Sequence, residues 1–413
     1  MPDNGKFSRQ LIESLPKTDL HVHLDGSLRL DTLIELAREQ GVKLPSETPE
    51  GLRELVFKDR YDDLTQYLRG FAYTCAVMRD EESLERVAFE LAEDNLAEGV
   101  RYVEVRFAPQ LHLTDDMNVW RVISAVNRGF ARVESEHAAS EPVKSGAEPP
   151  FHYGIITSAM RMFTPGFSRY HESLFTVLDE WAENEVYSVA SESLARSVVA
   201  VRDRLGVPIV GFDLAGAEAG HPASDHVKAY GFAHRRFLKK TVHAGEAYGP
   251  ESIFQAITRL HADRIGHGTH LYSVERVEKE DPERYVEQLT EYISDRRITL
   301  EVCITSNMQT MPELEKVEDH PFGRMMKDRL SVTLCTDNRL VSNTTVTQEI
   351  VQACDAFDLS AADLRNVVIY GFKRSFFPGT YREKREYVRQ IIDYYDRVVA
   401  EAETGAAGEV GGD

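Results

Sequence analysis

The sequence predicts an α/β chain folded as a (β/α)8 barrel of the TIM type with additional peripheral helices. Two observations carry that expectation. Eight short β-rich runs alternate with segments of helical period, and chemistry-bearing histidines and carboxylates fall at the carboxyl ends of several of those runs. A doubly wound open sheet would share the alternation. Polar groups spread over four separate strand ends favour the barrel.

The elements follow in order. The first run ends in "LPKTDLHVH", and the others are "VRYVEVRF", "FHYGIIT", "VPIVGFDLA", "KKTVHA", "ADRIGHG", "ITLEVCI" and "SVTLCT". Between them, "LRLDTLIELAREQG" places Leu30, Leu33, Ile34 and Ala37 on one helical face and stops at Gly41. The segment "EESLERVAFELAEDNLAEGV" aligns Leu84, Val87, Ala88 and Leu91 before Gly99, and further helices are expected over 223–239, 251–261 and 283–295. Residues 134–150 are small, polar and proline-containing, and read as a surface insertion. The chain is expected to form one domain over 1–400, followed by a disordered Gly/Ala/acid-rich tail over 401–413.

The 413 residues, 42% hydrophobic and 28% charged, suit a globular protein with a large core. A formal net charge of -20 without any Lys/Arg block argues against nucleic acid or an anionic membrane surface as partner. No run approaches the ~18 apolar residues of a membrane span, and "MPDNGKFSRQ" lacks the apolar core of a signal peptide. A cytoplasmic location is expected. Cys75, Cys303, Cys335 and Cys354 are scattered without a CxxC pair, as suits reduced, mostly buried thiols.

The stretch "HVHLDGS" places His21 and His23 two positions apart, on one face of a strand, where both imidazoles can aim at one point. His243 ends "KKTVHA", His267 ends "ADRIGHG", and Asp337 with Asn338 follows "SVTLCT". His21, His23, His243 and Asp337 form an N/O set suited to zinc with an open position. Glu246 lies three residues beyond His243, across Gly245. There it can face a metal without binding it, and shielding from water would make it a general acid. His267 is expected either to accept the proton of a metal-bound water or to orient the hydroxide as a positive group.

Taken together, "LPKTDLHVHLDGSL", "VRYVEVRFAP", "FDLAGAE", "VHAGE", "RIGHGTHL", "EVCITSN" and "HPF…VTLCTDN" resemble, in content and order, the adenosine deaminases of the metal-dependent amidohydrolase superfamily. The resemblance runs from about Leu15 to about Phe376. It implies one zinc per chain, held by His21, His23, His243 and Asp337, and hydrolysis of the 6-amino group of adenosine and 2'-deoxyadenosine to inosine or 2'-deoxyinosine and ammonia in purine salvage. By the same resemblance Glu246 protonates ring nitrogen 1, and His267 activates or holds the water. The backbone of Gly216 bonds ring nitrogen 3, Asp25 meets sugar hydroxyls, and Tyr67, Leu68, Phe71 and Met160 form an apolar wall and lid. The implied partner is a small purine nucleoside.

The chain departs from the family pattern in two places. Asn338 stands where most relatives carry a second aspartate; its amide can donate to ring nitrogen 7 at any pH. Ile304 replaces a frequent proline. Relatives with the same zinc core act on adenine, adenosine monophosphate derivatives or aminofutalosine-type nucleosides. A phosphorylated substrate would call for a basic cluster, and Arg101, Arg106 and Arg161 are its motif-adjacent candidates. Arg101 and Arg106 sit at odd spacing on one strand and face opposite ways, which favours an unphosphorylated nucleoside. Two other readings compete. In a two-metal hydrolase, Glu218 would have to bridge the ions; a catalytically inert barrel would be expected to have lost ligands or Glu246, and this chain has lost none.

Overall fold

Most of the expected β-rich runs are apolar, and apart from Lys239 and the two ends of His152–Met160 every strand residue is buried, as parallel strands require. In the computed structural model, which describes residues 7–409, the strands are β1 Lys17–His23, β2 Val100–Phe107, β3 His152–Met160, β4 Ile209–Ala215, β5 Lys239–Ala244, β6 Arg264–His267, β7 Thr299–Val302 and β8 Ser331–Leu334. Each pairs in parallel with the next, in chain order. The ring closes at Asp337: its N–H donates to His21 O at 2.8 Å, and His23 N–H donates to its carbonyl at 2.7 Å. One residue thus ties the last strand to the first and carries a carboxylate to the barrel mouth.

The helices outside the ring bury the faces their spacing predicts. Helix Leu30–Gln40 ends at Gly41, whose φ of 69° is the left-handed stop anticipated there. Helix Glu81–Ala97 starts on a capping box of Asp80 and Ser83 and buries Leu84, Val87, Ala88 and Leu91. Full burial of a Val or Leu side chain contributes roughly 1.5–3 kcal/mol. The expected helix over 223–239 is shorter: a 3-10 turn Ala223–His226 leads into Val227–Arg235, and Lys239 already opens β5. The other two expected helices are Pro250–Arg259 and Pro282–Arg296. The β3–β4 crossover also holds helices Arg169–Val177 and Glu183–Leu205, which periodicity did not single out.

Two peripheral expectations change. Helix Val119–Ala138 runs into the 134–150 segment, so Glu134–Ala138 are its last residues, and only the remainder, with a short helix Glu141–Lys144, is a connecting excursion. Helix Tyr381–Glu409 continues through the first nine residues of the expected disordered tail, where glutamates and alanines favour helix; residues 410–413 lie outside the described residues. Among the described residues no helix is long and apolar enough to cross a membrane. Cys303, Cys335 and Cys354 are buried free thiols, and Cys75 is half-buried.

Candidate metal centre and active site

Strand ends deliver the polar groups to one place. On β1, His21 and His23 share a face. The Nε2 atoms of both lie 3.1 Å from His243 Nε2 at the end of β5. Asp337 Oδ1 is 3.4 Å from His21 Nε2 and 3.5 Å from His23 Nε2. His21, His243, His267 and Asp337, all buried, each place a ligand atom within 4.8 Å of the others, so five groups converge. Three imidazoles and a carboxylate at this spacing fit a divalent cation.

The surroundings fix which ring nitrogens face inward. His21 Nδ1 lies 2.9 Å from Glu301 Oε2, and His243 Nδ1 lies 3.2 Å from Asp213 Oδ1. Burial alone would push both carboxyls up. Arg106 and Arg264 beside Glu301, and His243 and Arg106 beside Asp213, hold them well below the usual carboxylate range. An ionised carboxylate only accepts, so each ring carries a proton on Nδ1 and turns Nε2 inward, the nitrogen a metal would take.

His267 is set the opposite way, and the assignment starts from a backbone amide. Phe322 N–H donates to His320 Nδ1 at 3.1 Å, which puts the proton of His320 on Nε2. Burial holds His320 neutral, its pKa lowered to about 3. That Nε2–H donates to Asn307 Oδ1 at 3.2 Å, so the Asn307 amide nitrogen turns to His267 Nδ1 at 3.1 Å. Nδ1 of His267 is therefore an acceptor, and its proton sits on Nε2, a buried atom with no partner, 3.6 Å from Glu246 Oε1. Burial, reinforced by His21, holds the ring well below the ordinary histidine value, hence neutral. A neutral ring protonated at Nε2 donates there and neither ligates nor accepts.

Glu246 is buried beside His243, as its position in "VHAGE" predicts. Burial pushes its carboxyl up to about 8; Asp337 and Glu218 add to the rise against the opposing effect of His243. The loop that carries it is held by Glu218, whose carboxylate accepts the N–H groups of Gly245, Glu246, Ala247 and Tyr248 at 2.7–3.0 Å and the Ser252 hydroxyl. Burial pushes Glu218 up, but Arg161, Ser252 and these amides hold it below its usual range. Glu218 is thus a loop anchor engaged with backbone, not a bridge between two metals.

The remaining expected residues rim the site. Asp25 is buried, and burial pushes its carboxyl up to about 7. Gly216, at φ 101°, follows β4, beside Met160 at the end of β3. The Asn338 side chain lies against Gly26, where a Cβ would sit 1.8 Å from Asn338 Oδ1. Tyr67, expected in an apolar wall, is a polar link. Its hydroxyl is 2.8 Å from Ser342 Oγ and receives the Asn338 amide at 2.7 Å, and it reaches to 3.5 Å from Asp337 Oδ2. Leu68 and Phe71 pack, half-buried, against the core in the same short helices. Arg106 is bound to Asp213, Glu301 and Leu20 O, Arg161 to the carbonyls of His221 and His243, and Arg101 to Glu148 and backbone. None of the three is spare for a phosphate.

Sequence reasoning missed Asp213, Glu301, Asn307, His320 and Ser306, whose hydroxyl donates to Asp337 Oδ2 at 2.6 Å. Asp213 and Glu301 carried a legible signal, a charge inside a run that is otherwise a buried strand. Asn307 and His320 carried no signal in period or burial, only their places in the motifs "EVCITSN" and "HPF".

Known proteins share this sequence pattern and this fold. A sequence model of the family described as adenosine deaminase matches residues 16–394. The adenosine deaminase of Mycobacterium sp. strain JLS is 36% identical over 369 residues, covering 89% of this chain and 92% of its own. That of Vibrio atlanticus is 33% identical over 363 residues, covering 88% and 94%. A zinc-bound amidohydrolase from Burkholderia ambifaria shares the fold at a TM-score of 0.75 and 19% identity, covering 98% of this chain and 97% of its own.

Proposed function

The chain belongs to the adenosine deaminase family, and from that premise we propose that it is a zinc-dependent enzyme that hydrolyses adenosine, and 2'-deoxyadenosine, to the inosine product and ammonia. The observation that carries this reading is a buried carboxyl, Glu246, with its pKa raised to about 8, held beside a cluster of three histidines and an aspartate. One zinc per chain would be held by His21, His23, His243 and Asp337; the hydrogen bonds that favour a proton on His267 Nε2 support His23 as the third imidazole. An ion held by these residues would supply Lewis acidity that makes water a nucleophile near neutrality.

The other steps belong to the chain. Glu246, protonated below about pH 8, delivers its proton to ring nitrogen 1, which makes carbon 6 electrophilic. His267 Nε2–H donates to the incoming oxygen and orients it toward carbon 6, and the proton that oxygen gives up passes to the 6-amino group, which leaves as ammonia. Of the two roles expected for His267, this is neither the proton acceptor nor the cation: a neutral donor takes their place. Asp337 accepts from Ser306 and ties ligand to barrel closure. The second N–H of the Asn338 amide is offered to ring nitrogen 7, the backbone of Gly216 to ring nitrogen 3, and Asp25 to the sugar. The commitment of Arg101, Arg106 and Arg161 to internal partners supports an unphosphorylated substrate.

The test is turnover of adenosine, followed as the fall in ultraviolet absorbance when the 6-amino group is lost, with adenine and adenosine monophosphate alongside. Glu246→Gln should abolish turnover while the metal content stays near one per chain. A fully loaded wild-type protein that ignores adenosine but turns over adenine or the monophosphate would overturn the substrate assignment.

A further inference from the structure

Beside this centre, three polar side chains converge without bonding one another. Asp25 follows β1, Cys75 lies in helix Phe71–Ala76, and His112 ends the 3-10 turn Pro109–His112 after β2. Each brings one ligating atom within 4.8 Å of the other two. Asp25 Oδ1 and His112 Nε2 are buried, and neither has a hydrogen-bond partner. An unpaired buried polar atom is destabilising, so two aimed at one point mark a place built for a third body. The His112 tautomer is fixed by its surroundings. Nδ1 lies 3.1 Å from the Met78 carbonyl, which can only accept, so the ring proton is there and Nε2 presents a lone pair.

We propose that Asp25, Cys75 and His112 form a second, thiolate-containing site for a divalent cation of the zinc class. Sulfur, imidazole nitrogen and carboxylate oxygen are the mixed donors such ions select, and three protein ligands leave one position open. Tetrahedral zinc spaces its ligand atoms ~3.3–3.8 Å apart, so closure by about 1 Å brings the three into coordination. As the sulfur–metal bond forms, the Cys75 thiol gives its proton to solvent. Asp25 Oδ1 stands 3.9 Å from His23 Nδ1, so the two sites adjoin. An ion on Asp25 occupies the carboxylate proposed to meet the sugar, and excess cation therefore inhibits by raising KM.

Cobalt(II) added to the singly loaded full-length protein tests this directly. The first centre has only nitrogen and oxygen donors, so a thiolate-to-cobalt charge-transfer band in the near ultraviolet reports the second site alone. One further equivalent should bind and give the band. Cys75→Ser should lose the band yet keep the first ion, and His112→Ala should weaken the second ion at least 10-fold. The band depends on Cys75 and not on catalysis, so it remains decisive if adenosine is not the substrate; the inhibition rests on the nucleoside reading. Absence of a band at cobalt concentrations that fill the first centre overturns the proposal. So does a band that survives in Cys75→Ser, which would come from Cys303, Cys335 or Cys354. A rise in KM for adenosine in both variants without any second ion also overturns it, and would give the cluster to the nucleoside sugar.

Discussion

Replacing Asn307 with aspartate should silence the enzyme by moving one proton from one side of a ring to the other. In the native chain the order Phe322 N–H, His320, Asn307, His267 leaves His267 with its proton on Nε2. Reversing that tautomer would lose the 3.1 Å bond and set two N–H groups against each other, a cost of roughly 2–4 kcal/mol, enough to hold the native form at better than ~30:1. Aspartate still accepts from His320 but can no longer donate to His267 Nδ1. A carboxylate at 3.1 Å instead favours Nδ1–H by about 1.5–3 kcal/mol. Neutral His267 then presents a bare Nε2 where a donor is needed. Loss of the donor that orients the attacking oxygen should cost about 10²-fold in kcat.

The pH dependence distinguishes this from simple damage. The new carboxylate raises the His267 pKa from its depressed native position. Below the raised value the imidazolium keeps a proton on Nε2 and some activity; above it the neutral ring is bare there. The variant should lose kcat as pH rises through that pKa, whereas the native enzyme keeps its Nε2 proton throughout and loses kcat only as Glu246 deprotonates near 8. The assay is kcat against pH at saturating adenosine with metal content measured on each sample, and nitrogen-15 shifts of His267 report the tautomer. Asn307→Ala, which leaves both tautomers open, should fall only about 10-fold. If folded, loaded Asn307→Ala is as inactive as the aspartate variant, or if the aspartate variant stays within 3-fold of native at neutral pH, the tautomer argument is refuted.

Two further substitutions read other contacts. Gly26→Ala puts a Cβ 1.8 Å from Asn338 Oδ1 and must displace that amide. KM for adenosine should rise about 10- to 100-fold, the worth of one hydrogen bond of about 1.5–3 kcal/mol, while metal content is unchanged; an unaltered KM would free Asn338 from substrate binding. Glu218→Gln turns an amide toward a nest of N–H donors and forfeits about two charge-assisted bonds, roughly 3–6 kcal/mol, which calorimetry should register as a lower Tm. It also removes an anion that helps hold the Glu246 pKa up. Because the protonated acid is the working form, the alkaline limb of kcat should move below pH 8, and an alkaline limb that stays put would deny the coupling.

What the sequence made legible and what it hid divide along a physical line. Strand existence and the His21–His23 pair are properties of period two, and a residue's place at a strand's carboxyl end follows from where the apolar run stops. The ligand cluster was therefore readable from runs such as "KKTVHA" and "SVTLCTDN" before any contact was known. Proton placement was not, because it depends on which partner stands behind each ring. His21 and His267 are both strand-end histidines, yet Glu301 behind one and Asn307 behind the other give them opposite tautomers and opposite uses. Glu218 illustrates the same limit, since a carboxylate near a metal motif reads as a bridging ligand until the loop backbone supplies four amides to it. Backbone conformation hid the rest: His267 and Asp337 adopt φ of 63° and 60°, in the left-handed region that non-glycine residues seldom enter. At Asp337 the barrel's closing hydrogen bonds hold that conformation, so the closure and the ligand position are one requirement met by one residue.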